Sequence, residues 1–172
     1  PLAVEPFTDD FDGPALAAAW NPVGNEAGQA GFLDGGHYEI KGGEGDESNG
    51  LRLRLPAPGS VTVDLKAKLT GFSGSDADFR LRLPGPGDTQ LAFGGDGSLR
   101  VFSQEKGGEI LKLDDFNLGN DEPLDVRIAW NADSLALEMG VAKNGEDLEL
   151  IVSEFDVSSF DPRSLEILLS NS

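Results

Sequence analysis

The chain has no cysteine, one histidine and one methionine. Without cysteine there is no disulfide scaffold, thiolate metal site, iron–sulfur cluster or thiol catalysis. The one histidine, His37, stands in Gly36-His37-Tyr38-Glu39, and no G-x-S-x-G accompanies it, so Ser/His/Asp hydrolysis has no support. Cations are scarce. Thirteen Lys and Arg against 31 Asp and Glu leave a formal net charge of −18, which repels phosphates and excludes a nucleic-acid partner. No apolar run approaches the ~18 residues of a membrane-spanning helix. Trp20, Trp130 and Tyr38 are the only Trp and Tyr residues. That is a thin aromatic platform for stacking sugars.

What is present is period-2 alternation broken by turn chemistry. Leu51, Leu53 and Leu55 alternate with Arg52 and Arg54. Val61 to Leu69, Phe79 to Leu83, Leu124 to Trp130 and Leu135 to Val141 follow the same rule, and further strands are predicted at Leu148 to Val152 and Leu165 to Leu169. Each alternating run predicts a strand with one buried and one wet face. Pro84-Gly85-Pro86-Gly87-Asp88, Gly94-Gly95-Asp96-Gly97 and Asn144-Gly145-Glu146-Asp147 supply residues that preset a turn or tolerate positive φ. The short spacing predicts an all-β antiparallel sandwich of about 11 to 13 hairpin-linked strands. One short helical turn is predicted over Pro14 to Trp20, with Asp12 as N-cap. Gly42 to Gly50 reads as the most flexible stretch. A length of 172 residues suits a single domain over 1–172, with residues 1–6 as an extended arm carrying Leu2 and Val4.

Three segments together resemble the concanavalin A-like jelly rolls, the lectin/glucanase and laminin-G-like group. They are Phe7-Thr8-Asp9-Asp10-Phe11-Asp12-Gly13-Pro14 with Leu16 and Trp20, the hairpin Leu91 to Leu99 around Asp96-Gly97, and Val126 to Asn131 with Ser134 to Leu137. The resemblance implies two antiparallel sheets, glycans or catalytic carboxylates on a concave face, and often a structural calcium. It also implies a closing strand beside the N-terminal one. Here the chain stops just after Leu165 to Leu169, so that strand is expected to be absent or supplied from elsewhere.

Four constellations are candidates for function. Retaining glycosidases of this group carry E-x-D-x-E or its bulged form on one strand. Glu149 to Glu154 has the bulged spacing, but Ile151 stands where the Asp belongs, and the reading is non-catalytic. Asp9, Asp10 and Asp12 cluster beside Gly13 and are the candidate ligands of one structural calcium, which takes six to eight oxygens. Eight cations occupy wet strand positions: Arg52, Arg54, Lys66, Lys68, Arg80, Arg82, Arg100 and Arg127. If their strands share a sheet, they form a basic face suited to an anionic partner or to the acidic rim of another copy. Finally, the N-terminal arm suits strand addition between copies, beside the Leu165 to Leu169 strand or at another open edge.

The expected function is therefore an exported structural or adhesive protein that self-associates into a filament or surface array. A calcium-dependent carbohydrate-binding module is the alternative and a glycoside hydrolase the second alternative. The expected setting is extracellular or at the cell surface, after removal of a signal peptide. The excess of acid also fits a salt-adapted source.

Overall fold

The computed structural model describes residues 9–11, 13, 15–24, 31–33, 36–40, 43–44, 49–54, 60–70, 77–85, 88–131, 133–156 and 164–171. These form fourteen strands and no helix. Three of the strands are only two or three residues long: β2 (Gly31–Leu33), β3 (Tyr38–Ile40) and β4 (Gly43–Glu44). The others are β1 (Trp20–Val23), β5 (Asn49–Arg54), β6 (Val61–Lys68), β7 (Asp78–Leu83), β8 (Thr89–Gly94), β9 (Leu99–Ser103), β10 (Gly108–Leu113), β11 (Pro123–Asn131), β12 (Ala136–Lys143), β13 (Glu149–Asp156) and β14 (Ser164–Asn171).

The large sheet runs β1-β5-β14-β7-β8-β9-β10, with β4 also paired to β14. The small sheet runs β13-β12-β11-β6. Apart from the parallel β4–β14 contact, every pairing is antiparallel. The predicted alternation is realised with one face of each sheet buried against the other. Leu53, Leu81, Leu91, Phe93, Val101 and Ile167 of the large sheet share a core with Leu124, Val126, Ile128, Leu137, Met139 and Val141 of the small one. Phe93 stacks on Phe79 with centroids 5.9 Å apart and tilts against Phe116 at 5.6 Å.

Three expectations change. The helical turn before Trp20 is a single tight turn closed by Trp20 N donating to Ala17 O at 3.0 Å. Trp20 itself opens β1 opposite Leu53, because so few residues cannot nucleate a helix against a competing ladder. The stretch ending at Gly50 is not loose throughout: Asn49 and Gly50 are buried in β5.

The third change concerns assembly. Leu165 to Leu169 belongs to β14, which pairs with β5 on one side and β7 on the other, so it offers no open edge. β14 thus stands inside the large sheet, separated from β1 by β5. The β10 edge carries a bulge between Glu109 and Leu111 and a lysine, Lys112, devices that blunt edge-to-edge pairing. The arm with Leu2 and Val4 lies outside the described residues.

Candidate functional site

Cross-strand register sets the outer face of the large sheet. Leu51 and Leu53, Leu165 and Ile167, and Leu81 and Leu83 are buried in the core, so the residues between them point the other way. Arg52 lies opposite Glu166, Glu166 opposite Arg82, Arg82 opposite Gln90, and Gln90 opposite Phe102. These five residues form one straight row across β5, β14, β7, β8 and β9. At about 4.8 Å per strand the row spans roughly 19 Å.

Glu166 is the hub of the row. It is 4 % exposed, a rare state for a carboxylate unless it is paired. Arg52 Nε donates to its Oε1 at 2.8 Å, with Arg52 Nη2 on the same oxygen, and Arg82 Nη1 donates to Oε2 at 3.1 Å. Arg82 Nε donates to Asp88 Oδ1 at 2.8 Å, and Gln90 Nε2 to Asp88 Oδ2 at 2.9 Å. The Asp88 hydrogen bond, ahead of the pull of Glu166, raises the Arg82 pKa. Two guanidiniums, two carboxylates and an amide are thus locked on a rigid sheet with zero net charge. Half-buried Phe102 stands at the end of the row.

The eight predicted cations do not form one basic face. Arg52, Arg54, Arg80, Arg82 and Arg100 lie on the large sheet, and Lys66, Lys68 and Arg127 on the small one. Among the described residues, seven of them have carboxylate partners. Besides the hub, Arg80 meets Asp78 at 3.0 Å, Arg100 meets Asp96 at 3.0 Å, and Arg127 meets Asp64 at 2.6 Å. Lys66 and Lys68 each lie 3.9 Å from an acid, Asp125 and Asp121 respectively. The physical reason is the acid inside the strands: like charges on neighbouring strands repel, and acids on or beside those strands neutralise them. The Arg127 hydrogen bond holds Asp64 below the usual carboxylate range. Burial pushes Asp78 up, against the pull of Arg80 and Arg100.

The calcium candidates are placed differently. Both carboxylate oxygens of Asp9 accept an N–H, from Phe11 N and from Trp20 Nε1, each at 2.9 Å. Asp10 is exposed, and Asp12 lies outside the described residues. Among the described residues no group of three or more His, Cys, Asp or Glu assembles into a metal site. The described part of the cluster works as a clasp. It holds Phe11, at φ 57°, with its ring 5.6 Å from Trp20 and 6.2 Å from Tyr38. Tyr38 is therefore packed, and burial raises its pKa. Asp9→Ala is expected to lower stability by about 2 kcal/mol, the net worth of its two hydrogen bonds at about 1 kcal/mol each. Urea unfolding with calcium and with a chelator checks this. A loss confined to the calcium arm would assign Asp9 to a metal instead.

Sequence reasoning missed Glu166 and Phe102. Phe102 alternates with buried Val101 and Ser103 in phase with Arg100, so its outward direction was readable.

For the catalytic pattern, Glu149 is exposed on the β13 edge, and the side chain of Glu154 lies outside the described residues. No helix among the described residues is long and apolar enough to cross a membrane.

Solved structures with this architecture include lectins. Lectin II from Ulex europaeus superposes with a TM-score of 0.56 at 10% identity, over 88% of this chain and 83% of that one. The Lotus tetragonolobus seed lectin gives 0.54 at 9% identity, over 90% and 85%. The fold is the concanavalin A-like jelly roll. Lectin UEA-II complexed with galactose shares the jelly roll as well, with a TM-score of 0.53 at 9% identity, over 88% of this chain and 83% of that one. No protein-family model and no curated protein matches the sequence. Identities this low establish the jelly roll alone.

Proposed function

We propose that this jelly roll is a non-catalytic binding module of adhesive type, acting outside the cell or at its surface. Its ligand is a neutral glycan chain lying along the row from Arg52 to Phe102. The observation that carries the reading is the locked, charge-balanced hub: Glu166 between Arg52 and Arg82, with Asp88 and Gln90 alongside.

A sugar hydroxyl both donates and accepts. A guanidinium has five N–H donors and a carboxylate about four acceptor sites, so the part-exposed Arg52, Arg82 and Asp88 retain capacity beyond their internal bonds, while buried Glu166 holds the two guanidiniums in place. Groups held rigid by one another lose little entropy when a ligand docks. A row with zero net charge gives no attraction to a polyanion, and the rest of this acidic chain repels one. Phe102 supplies an apolar ring face for the C–H side of a sugar ring. The lectin-like architecture is consistent with this reading, one of those neighbours having been solved with galactose. Self-association into a filament has less support, since β14 is paired on both sides.

A screen of neutral and acidic glycans, with and without calcium, tests the reading. Binding to neutral glycans is expected, weakened about fivefold by Phe102→Ala if ring stacking contributes about 1 kcal/mol. The reading fails if nothing binds in either condition, or if Phe102→Ala binds as well as the parent. A gain on adding calcium would bring the Asp9 cluster back as a metal-dependent element.

A further inference from the structure

The dipeptide Asn-Gly occurs twice in the chain, at Asn49-Gly50 and at Asn144-Gly145, and the two copies sit in opposite environments. Its chemistry is intrinsic. Glycine has no Cβ to obstruct approach, so its backbone nitrogen can attack the side-chain carbonyl carbon of the preceding Asn. A C–N bond forms, the side-chain amide nitrogen leaves as ammonia, and a five-membered succinimide closes. Water then adds to one ring carbonyl and breaks one ring C–N bond, leaving Asp or iso-Asp. The reaction needs water and room for the backbone to move.

Asn49 has neither. It is 4 % exposed and opposes Leu169 in the β5–β14 ladder, while Gly50 is held between Val23 and Leu168. Asn144 and Gly145 are both exposed, at the tip of the turn after β12. Their φ angles are 54° and 74°, and no atom lies within 4 Å of the position a Gly145 Cβ would take. One side-chain bond restrains the Asn144 amide group, its Nδ2 donating to Glu122 Oε1 at 2.5 Å, while the backbone Asn144 N donates to Pro123 O at 2.9 Å. Glu122 Oε2 accepts Gly119 N–H at 2.6 Å, so the same carboxylate ties the 119–122 loop to the turn. These two bonds, the Gly119 one first, hold the Glu122 carboxyl below the usual range.

We propose that Asn144 is a site of spontaneous deamidation, and that its conversion opens the Glu122 clasp. The product carboxylate has no N–H to donate and faces Glu122 as a like charge. The 119–122 loop and the turn after β12 then lose their side-chain link, and only the backbone bond from Asn144 N to Pro123 O still holds the turn beside the loop. The inference is independent of any ligand, because it uses only the two Asn-Gly contexts and water.

The intact chain is incubated in mildly alkaline buffer made with oxygen-18 water, and its peptides are mapped by mass. Label is expected in the peptide containing Asn144 and not in the one containing Asn49. In urea both peptides should take it up. Folded protein with no label at Asn144, or with equal label at both sites, overturns the proposal. The second half is read by melting temperature. Asn144→Asp should melt below the parent, and adding Glu122→Gln should restore most of the loss by removing the repulsion. A variant Asn144→Asp that melts like the parent, or that Glu122→Gln does not rescue, overturns the claim about the clasp.

Discussion

Alanine at position 50 is expected to break the large sheet between β5 and β14. A Cβ on Gly50 would stand 1.8 Å from the carbonyl oxygen of Ile167 and 2.8 Å from its carbon. Both are backbone atoms of the neighbouring strand, so no side chain can rotate to make room. Either β5 and β14 separate, with loss of ladder hydrogen bonds on both, or the sheet bends and disturbs the core under Leu51 and Ile167. Overpacking a well-packed core, where side chains can still shift, costs about 1–3 kcal/mol and occasionally more. Against fixed backbone we expect the upper end or beyond, about 3 kcal/mol, a fall in melting temperature of roughly 10 °C. Thermal unfolding followed by circular dichroism measures it. A melting temperature equal to that of the parent would mean that the two strands do not meet here.

Glu166→Ala is the second large effect, and it reads stability and binding together. Removing one partner of a buried ion pair costs about 3–5 kcal/mol, because it strands the other charge. Arg52 and Arg82 are each about a third exposed, so water recovers part of that, and a loss of about 2 kcal/mol is expected. Two guanidiniums then face each other across the gap with no acid between them, and the ordered row is lost. Glycan binding should fall at least tenfold. Arg127→Ala, on the outer face of the small sheet, should leave both properties nearly unchanged, since its partner Asp64 is exposed. Denaturant unfolding and a glycan titration on the two variants separate the outcomes. Equal binding by Glu166→Ala and the parent would remove the row as the ligand site.

Much of this architecture was readable from alternation. Val61 to Lys68 alternates without interruption and becomes β6. Leu124 to Trp130 and the run from Ala136 to Val141 become the β11–β12 hairpin, in register from Leu124 with Lys143 to Asn131 with Ala136, while Leu135, expected in the strand, is an exposed turn residue at φ 58°. The Asp96-Gly97 turn also forms where the residues call for it. Asp96 Oδ1 accepts Ser98 N–H at 3.0 Å, and Gly97 lies at φ 88°.

Alternation states which way a side chain points, not which strand lies beside it. That is why Glu166 stayed hidden. Within Leu165-Glu166-Ile167 it reads as an ordinary wet position, and only the placement of β14 between β5 and β7 surrounds it with Arg52 and Arg82. For the same reason the cations of β6 and β11 could not be told apart from those of β5, β7 and β9. Tyr38 was hidden differently: its neighbours Phe11 and Trp20 arrive through the Asp9 clasp, a contact with no periodicity to announce it.

The central position of β14 also orders the birth of the molecule. Arg52 and Glu166 are 114 positions apart, and β5 and β7 lack a common neighbour until residues 164–171 have left the ribosome. Until then neither β5 nor β7 has the neighbour that covers its β14 side in the finished sheet. Closing so long a loop delays the reward of pairing, and topologies dominated by such distant contacts are slow to fold. β14 therefore acts as a keystone: only through it do β1 and β5 join β7, β8, β9 and β10 in one sheet.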